Sequence, residues 1–183
     1  MQKFLTWTLD TIREEGSSFS WMEEYRYEWT PLALSAVSKI IKGQTVLIVA
    51  DDDCRWFAKY ITSRINHKNL NRPFLPIFPL ETIFPNFKSL DTTLDLELLE
   101  DMLDISYPSG YFIWYIGKKH HPYSKFAYRS DENFLWTLDD EVPNGFRVRA
   151  SDTLLDMRLL QLFKLFNKTI DIILFGEMSD ETN

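Results

Sequence analysis

Apolar and polar positions alternate along this chain in two distinct periods, and the two periods take turns. Val46 to Ala50 is an unbroken run of β-favouring or apolar residues, which predicts a strand buried on both faces. Three aspartates follow. Phe57, Ile61 and Ile65 then recur at four-residue spacing, with Trp56 and Tyr60 beside them, and predict an amphipathic helix. Strand, polar turn and helix over 45–66 make the first half of a βαβ unit, and open α/β sheets bind their ligands at such turns. Phe74 to Phe78 predicts a second strand, placed at the sheet edge by Pro76, which cannot donate to a ladder. Tyr111 to Ile116 is a third, central strand ended by Gly117, and Asn133 to Trp136 and Phe146 to Val148 supply the fourth and fifth. Short strands alternating with helices predict an α/β fold with a doubly wound parallel sheet.

The helical period governs the rest. Gln2 to Glu15 predicts a helix with Phe4, Leu5, Leu9 and Ile12 among charges, stopped by Gly16. Trp21 to Trp29 predicts a second helix. Thr30-Pro31 then reads as an N-cap and first position of a third, burying Ala33, Ala36, Val37, Ile40 and Ile41 up to Gly43. A helix opening at Asp91 places Leu94, Leu98 and Met102 on one face. Asp95, Glu97, Glu100, Asp101 and Asp104 make the remainder either a solvated surface or an acidic docking surface for a basic partner. A short helix is expected around Tyr123 to Tyr128. The last helix starts at Ser151 or Asp152 and runs to Phe175. Its leading stripe is Leu155, Leu159, Leu162, Phe166, Ile170 and Ile173, with further apolar rows beside it. A helix lying on a sheet needs one stripe, so the surplus predicts contact with other subunits and a homo-oligomer. The expected organisation is one domain over 1–183: helices at 1–43, the sheet core at 45–150, the last helix at 151–175 and a frayed tail at 176–183.

Composition narrows the function. At 183 residues, 45% hydrophobic and 15% aromatic, the chain can fill a sizeable core. A net charge of −7 disfavours a direct nucleic-acid surface and permits a basic protein partner. Cys54 is the single cysteine, so no intrachain disulfide forms and a cytoplasmic location is expected. No apolar run approaches the roughly 20 residues that span a bilayer, and the N-terminal stretch does not read as a signal peptide.

The residues with possible chemistry are few. Asp51 and Asp53, at the end of a buried strand, could hold magnesium or act as nucleophile and acid in phosphoryl transfer. The residues after them, Cys54 and Arg55, do not complete such a motif. Alternatively, Asp51, Asp52 and Asp53 complement the N-terminus of the following helix. Their charges oppose phosphate binding, which calls for glycines and hydroxyls at such a turn. His120 and His121 are adjacent on a loop and converge poorly on one metal ion. Cys54 lies near a helix N-terminus, but the aspartates beside it oppose thiolate formation. No cofactor or metal site is expected.

Ala50-Asp51, Trp56-Phe57, Tyr60-Ile61 and Phe134-Leu135-Trp136 carry a family resemblance. Its strongest stretch is Leu154-Leu155-Asp156 followed by the segment Leu159 to Phe166. Together these residues resemble the HobA family, initiator-associated proteins of epsilonproteobacteria. That family is similar to DiaA and, through it, to phosphosugar isomerase (SIS) domains. The resemblance implies a flavodoxin-like, SIS-type three-layer α/β/α sandwich with a five-stranded parallel sheet. It also implies a homotetramer without enzymatic activity that binds the N-terminal domain of the replication initiator DnaA and promotes its assembly at the chromosomal origin. SIS isomerases have glycine- and serine-rich turns after strands one and three, where this chain has Asp51 to Cys54 and Gly117 to His120. Phosphoheptose-type isomerases carry E-x-H on the last helix, and Asp156 to Leu159 contains no histidine. A sugar-phosphate sensor is the remaining alternative. In DiaA-like chains a Leu-Phe pair ending the last helix is linked to initiator contact, and Leu174-Phe175 occupies that place, followed here by glycine rather than proline.

Overall fold

A computed structural model of the chain describes residues 1–176. Seven α-helices and five strands occur among these residues: α1 (Gln2–Glu14), α2 (Met22–Ile41), β1 (Thr45–Ala50), α3 (Arg55–Arg64), β2 (Ile77–Pro79), α4 (Leu80–Ile83), α5 (Thr93–Ser106), β3 (Tyr111–Lys118), α6 (Ser124–Ala127), β4 (Phe134–Leu138), β5 (Gly145–Val148) and α7 (Leu155–Leu174). The chain divides into two compact units. One comprises Lys39–Ala150, the other Met1–Ser38 together with the segment from Ser151. The expected tail from Glu177 onward lies outside the described residues.

The unit over Lys39–Ala150 is built on the sheet. All five strands are parallel, in the order β2-β1-β3-β4-β5. This is the flavodoxin-like order, with β1 and β3 in the centre and β2 at the edge as expected, although the strand is Ile77–Pro79 rather than Phe74 to Phe78 and Pro76 lies just before it. Side-chain alternation splits the sheet residues between two faces. Leu47, Val49, Ile113, Tyr115 and Leu135 pack with Leu99 and Leu103 of α5, Leu80 of α4 and Phe126 of α6. The opposite face carries Trp114 and Trp136, and Phe57 of α3 sits 5.9 Å from Trp136, ring centre to ring centre. Helices therefore cover both faces, which explains why the central strands lack alternation: β3 buries every residue from Phe112 to Gly117.

The sequence pattern misplaces the inner face of α5. Leu99 and Leu103 are buried, whereas Leu94 and Leu98 are 61% and 58% exposed. The helix also starts at Thr93, not Asp91. Thr92 accepts the Asp95 backbone N–H through its hydroxyl, and the Asp95 carboxylate accepts the Thr92 N–H, a capping box that fixes where the helix starts.

In the other unit the predicted break at Thr30-Pro31 does not occur, and α2 continues through Pro31. The Pro31 ring sits on an exposed position, and the carbonyl it deprives of a partner belongs to Tyr27, which is 60% exposed. Water can serve that carbonyl, so the helix tolerates the proline. Thr30, instead of capping, is buried and donates its hydroxyl to that of Thr8 on α1. On α7 the several apolar rows are largely satisfied within the single chain. Leu159, Leu162, Phe163, Leu165, Phe166 and Ile170 are all buried, with Trp29 edge-on to Phe166. Surplus apolar surface on this helix is thus no argument for a second subunit.

Candidate functional site

Parallel sheets of this order bind ligands outside the carboxyl ends of the strands, where the chain path reverses between β1 and β3. Asp51 follows β1 at that point, and Gly117-Lys118 ends β3 beside it. Asp51 is 1% exposed. Its backbone N–H donates to the Ile116 carbonyl at 3.0 Å and extends the β1–β3 ladder. Both carboxylate oxygens are engaged: Oδ1 accepts the Cys54 N–H at 2.9 Å, and Oδ2 accepts the Lys118 N–H at 2.9 Å. These are two backbone donors converging on one anion, the arrangement by which such turns hold phosphate. Here the anion is covalently part of the chain.

Gly117 makes the approach possible. A Cβ at this position would lie 2.7 Å from the Asp51 carboxylate, well inside contact distance. The neighbouring acids are committed in turn. Asp53 pairs with the Lys118 ammonium at 2.7 Å, and the shared hydrogen bond lowers the Asp53 pKa and raises that of Lys118. Asp52 pairs with Arg55, and His121 Nε2 stands 3.8 Å from its other oxygen. The loop beyond β3 is pinned too: Tyr115 donates its phenol to the Lys118 carbonyl at 2.6 Å, and Lys119 N–H donates to Asp140.

This arrangement corrects the helix-capping assignment. The N-cap of α3 is Cys54, and no side chain caps it. Asp51 bridges two strand ends, and Asp52 and Asp53 form surface ion pairs. Of the pair considered for phosphoryl transfer, Asp51 accepts a backbone N–H on each oxygen and Asp53 faces Lys118. Cys54 is buried, and desolvation, reinforced by the Asp51 charge, pushes its thiol well above the ordinary range. It is a packed, unreactive thiol. His120 is exposed while His121 is half-buried and takes the Tyr123 N–H on Nδ1, so the two rings do not converge. Among the described residues no group of three or more His, Cys, Asp or Glu side chains is placed to share a metal ion.

Sequence reasoning missed the partnership of Asp51 with Lys118, which joins residues 67 apart in the chain. The available signal was Gly117, a glycine closing a buried strand at the position facing the aspartate turn.

The second candidate, Leu174-Phe175, lies at the end of α7. Leu174 is half-buried and Phe175 is 55% exposed. Gly176 follows with φ of +70°, the left-handed conformation that commonly closes a helix. Phe175 lines a shallow groove of about 200 Å³ with Trp7, Thr11 and Ile172, whose polar edge carries Glu14 and Lys168. A proline in place of Gly176 would exclude that left-handed closure, because its ring holds φ near −65°.

The sequence profile of HobA, described as a DNA replication regulator, matches residues 1–180. The chain belongs to the HobA family. The DNA replication regulator protein HobA of Helicobacter pylori (strain ATCC 700392 / 26695) is 29% identical over 187 residues, covering 98% of this chain and 99% of that protein. Two solved structures are also similar. A HobA–DnaA (domain I–II) complex from H. pylori matches with TM-score 0.74 and 27% identity over 97% of this chain and 99% of the other. HobA from H. pylori matches with TM-score 0.70 and 26% identity over 96% and 98%. Membership in the HobA family therefore rests on nearly the whole chain. Among the described residues no helix is long and apolar enough to cross a membrane.

Proposed function

We propose that this protein is a non-catalytic, oligomeric scaffold that binds the N-terminal domain of DnaA and promotes initiator assembly at the chromosomal origin, in the cytoplasm. The observation that carries this reading is the near-full-length match to HobA solved in complex with DnaA domain I–II. The site geometry supports the non-catalytic part. The two backbone N–H groups at the β1–β3 turn are taken by Asp51, and among the described residues Cys54, the one thiol, is buried there. Oligomer formation draws support from the β2 edge, where Phe74 and Phe78 are 75% and 43% exposed around an apolar hollow. Leu174 and Phe175 are proposed to contact the initiator, because the phenyl ring is presented to solvent at a helix end beside a groove.

The test is light scattering of the purified full-length chain, alone and mixed with domain I–II of its own initiator. A tetramer that gains the mass of bound initiator is expected. Absence of a complex at micromolar concentrations overturns the reading. In the same assay Leu174→Ala with Phe175→Ala should weaken the complex and leave the tetramer intact. Each side chain can contribute up to about 1.5–3 kcal/mol if fully covered by the partner. Loss of the tetramer in that variant would assign the pair to subunit packing instead.

A further inference from the structure

The turn between β4 and β5 carries a chemistry that the crevice lacks. Val142, Pro143, Asn144 and Gly145 form a four-residue turn, closed by the Gly145 N–H donating to the Val142 carbonyl at 3.2 Å. Such a turn favours proline in second place and a left-handed residue in third, and Asn144 has φ of +56°. The fourth place is closed to any larger residue. A Cβ on Gly145 would lie 2.3 Å from Val142 Cγ2, and Val142 is packed in the core. Two separate structural demands therefore set asparagine before glycine here, and no other asparagine of the chain is followed by glycine.

That dipeptide is reactive. The Gly145 nitrogen, with no side chain beside it, can attack the Asn144 side-chain Cγ. An N–Cγ bond forms and the bond from Cγ to the amide nitrogen breaks. The amide leaves as ammonia, taking up the proton that the Gly145 nitrogen gives up. Water then opens the cyclic imide. Opening at Cγ leaves aspartate, and opening at the main-chain carbonyl leaves isoaspartate, whose backbone runs through the side chain. No oxidant or reductant is needed, and Asn144 is exposed to the water that takes part. The turn also restrains the step. The attacking nitrogen is the donor of the bond to Val142, and Gly145 is registered with Leu135 in the β4–β5 ladder. Because β5 is the edge strand, paired only with β4, local fraying is enough to release that nitrogen.

We propose that Asn144–Gly145 is a self-modification site, converted to aspartate and isoaspartate when β5 frays from β4, and that the isoaspartyl form loosens the β5 edge. The added main-chain atom lengthens the turn that must bring Gly145 back to the Val142 carbonyl. Asn71 is the internal comparison: it is exposed and left-handed, with φ of +50°, but Arg72 follows it.

The experiment warms the purified full chain in mildly alkaline buffer, folded or in guanidinium chloride, and follows its peptides by mass spectrometry with separation of the isoaspartyl form. Asn144 should convert, Asn71 should not, and the denaturant should speed conversion at Asn144 about tenfold or more. Asn144→Gly, which readily adopts the left-handed conformation, should give no acidic product at this turn and melt like the parent. The isolated isoaspartyl chain should melt below the parent, with faster hydrogen exchange in β5. No conversion at Asn144 even in denaturant overturns the site. Equal rates in the folded and unfolded chain overturn the restraint by the turn, and conversion at Asn71 as fast as at Asn144 overturns the role of glycine. An isoaspartyl chain with the parent's melt and exchange overturns the loosening of β5.

Discussion

The sheet crevice and the outward face of α5 belong to one compact unit and have opposite characters. At the crevice the three acids have internal partners: Asp51 takes two backbone N–H groups, Asp53 holds Lys118 and Asp52 holds Arg55. On α5, among the described residues, Glu97, Asp101 and Asp104 form no ion pair, and Leu94, Leu98 and Ile105 are exposed. The first region has the position of an active site, and its anion comes from the chain itself. The second is an ordinary helix surface by position, yet its composition asks for a partner. Location in the fold therefore says less about function than whether the groups there are already satisfied.

Asp51→Ala should have the largest effect and strikes the crevice directly. It strands one buried N–H group, of Cys54, and one half-buried, of Lys118, at a cost of about 2–3 kcal/mol, read from urea unfolding. If the emptied cradle is a true anion site, millimolar inorganic phosphate should raise the melting temperature of the variant and leave the parent unmoved. A loss below about 0.5 kcal/mol would mean that water replaces the carboxylate and that the crevice is not held by it. Gly117→Ala comes next. Its methyl group would press on the Asp51 carboxylate, and about 1–3 kcal/mol of stability should be lost, measured in the same way.

Leu98→Ser should show the reverse behaviour. Exposed as it is, this side chain should alter unfolding free energy by no more than about 0.5 kcal/mol. A larger loss would place α5's outer face among the stabilising surfaces and erase the contrast with the crevice. A small effect is also expected in the other unit, where Glu15 bridges Lys164 and Lys168 of α7, the latter at 2.8 Å. Its hydrogen bonds to Lys164 and then Lys168 lower the Glu15 pKa, so the folded state holds the proton less tightly than the unfolded chain. The stabilisation is therefore complete above the ordinary glutamate range and disappears as pH falls through the lowered folded value. Glu15→Gln should cost up to about 1 kcal/mol at pH 7 and nothing once the carboxylate is protonated in both states, as followed by unfolding across pH.

Much of this architecture was legible in the pattern of residues. The unbroken run of β1 and β3 and the four-residue spacing of α3 each reflect a single element meeting a single environment. The errors fall where a residue answers to two demands. Pro31 carries a strong local signal to start a helix, but the Tyr27 carbonyl it orphans is on the water side, so α2 runs through. The apolar positions of α5 outnumber what one buried face can take, and periodicity alone does not say which stripe turns inward. Packing of Leu99 and Leu103 against the sheet core decides it.

By itself, then, the sequence determined the α/β class, the number and parallel arrangement of strands, and membership in the HobA family, because these depend on local period and on residues close in the chain. Only the tertiary structure decided that Asp51 is a ligand of its own backbone and that Leu94, Leu98 and Ile105 face solvent. The reason is geometric. Asp51 finds its second donor at Lys118 only when β1 and β3 are paired, and a stripe is outward only with respect to the sheet against which the opposite stripe has packed.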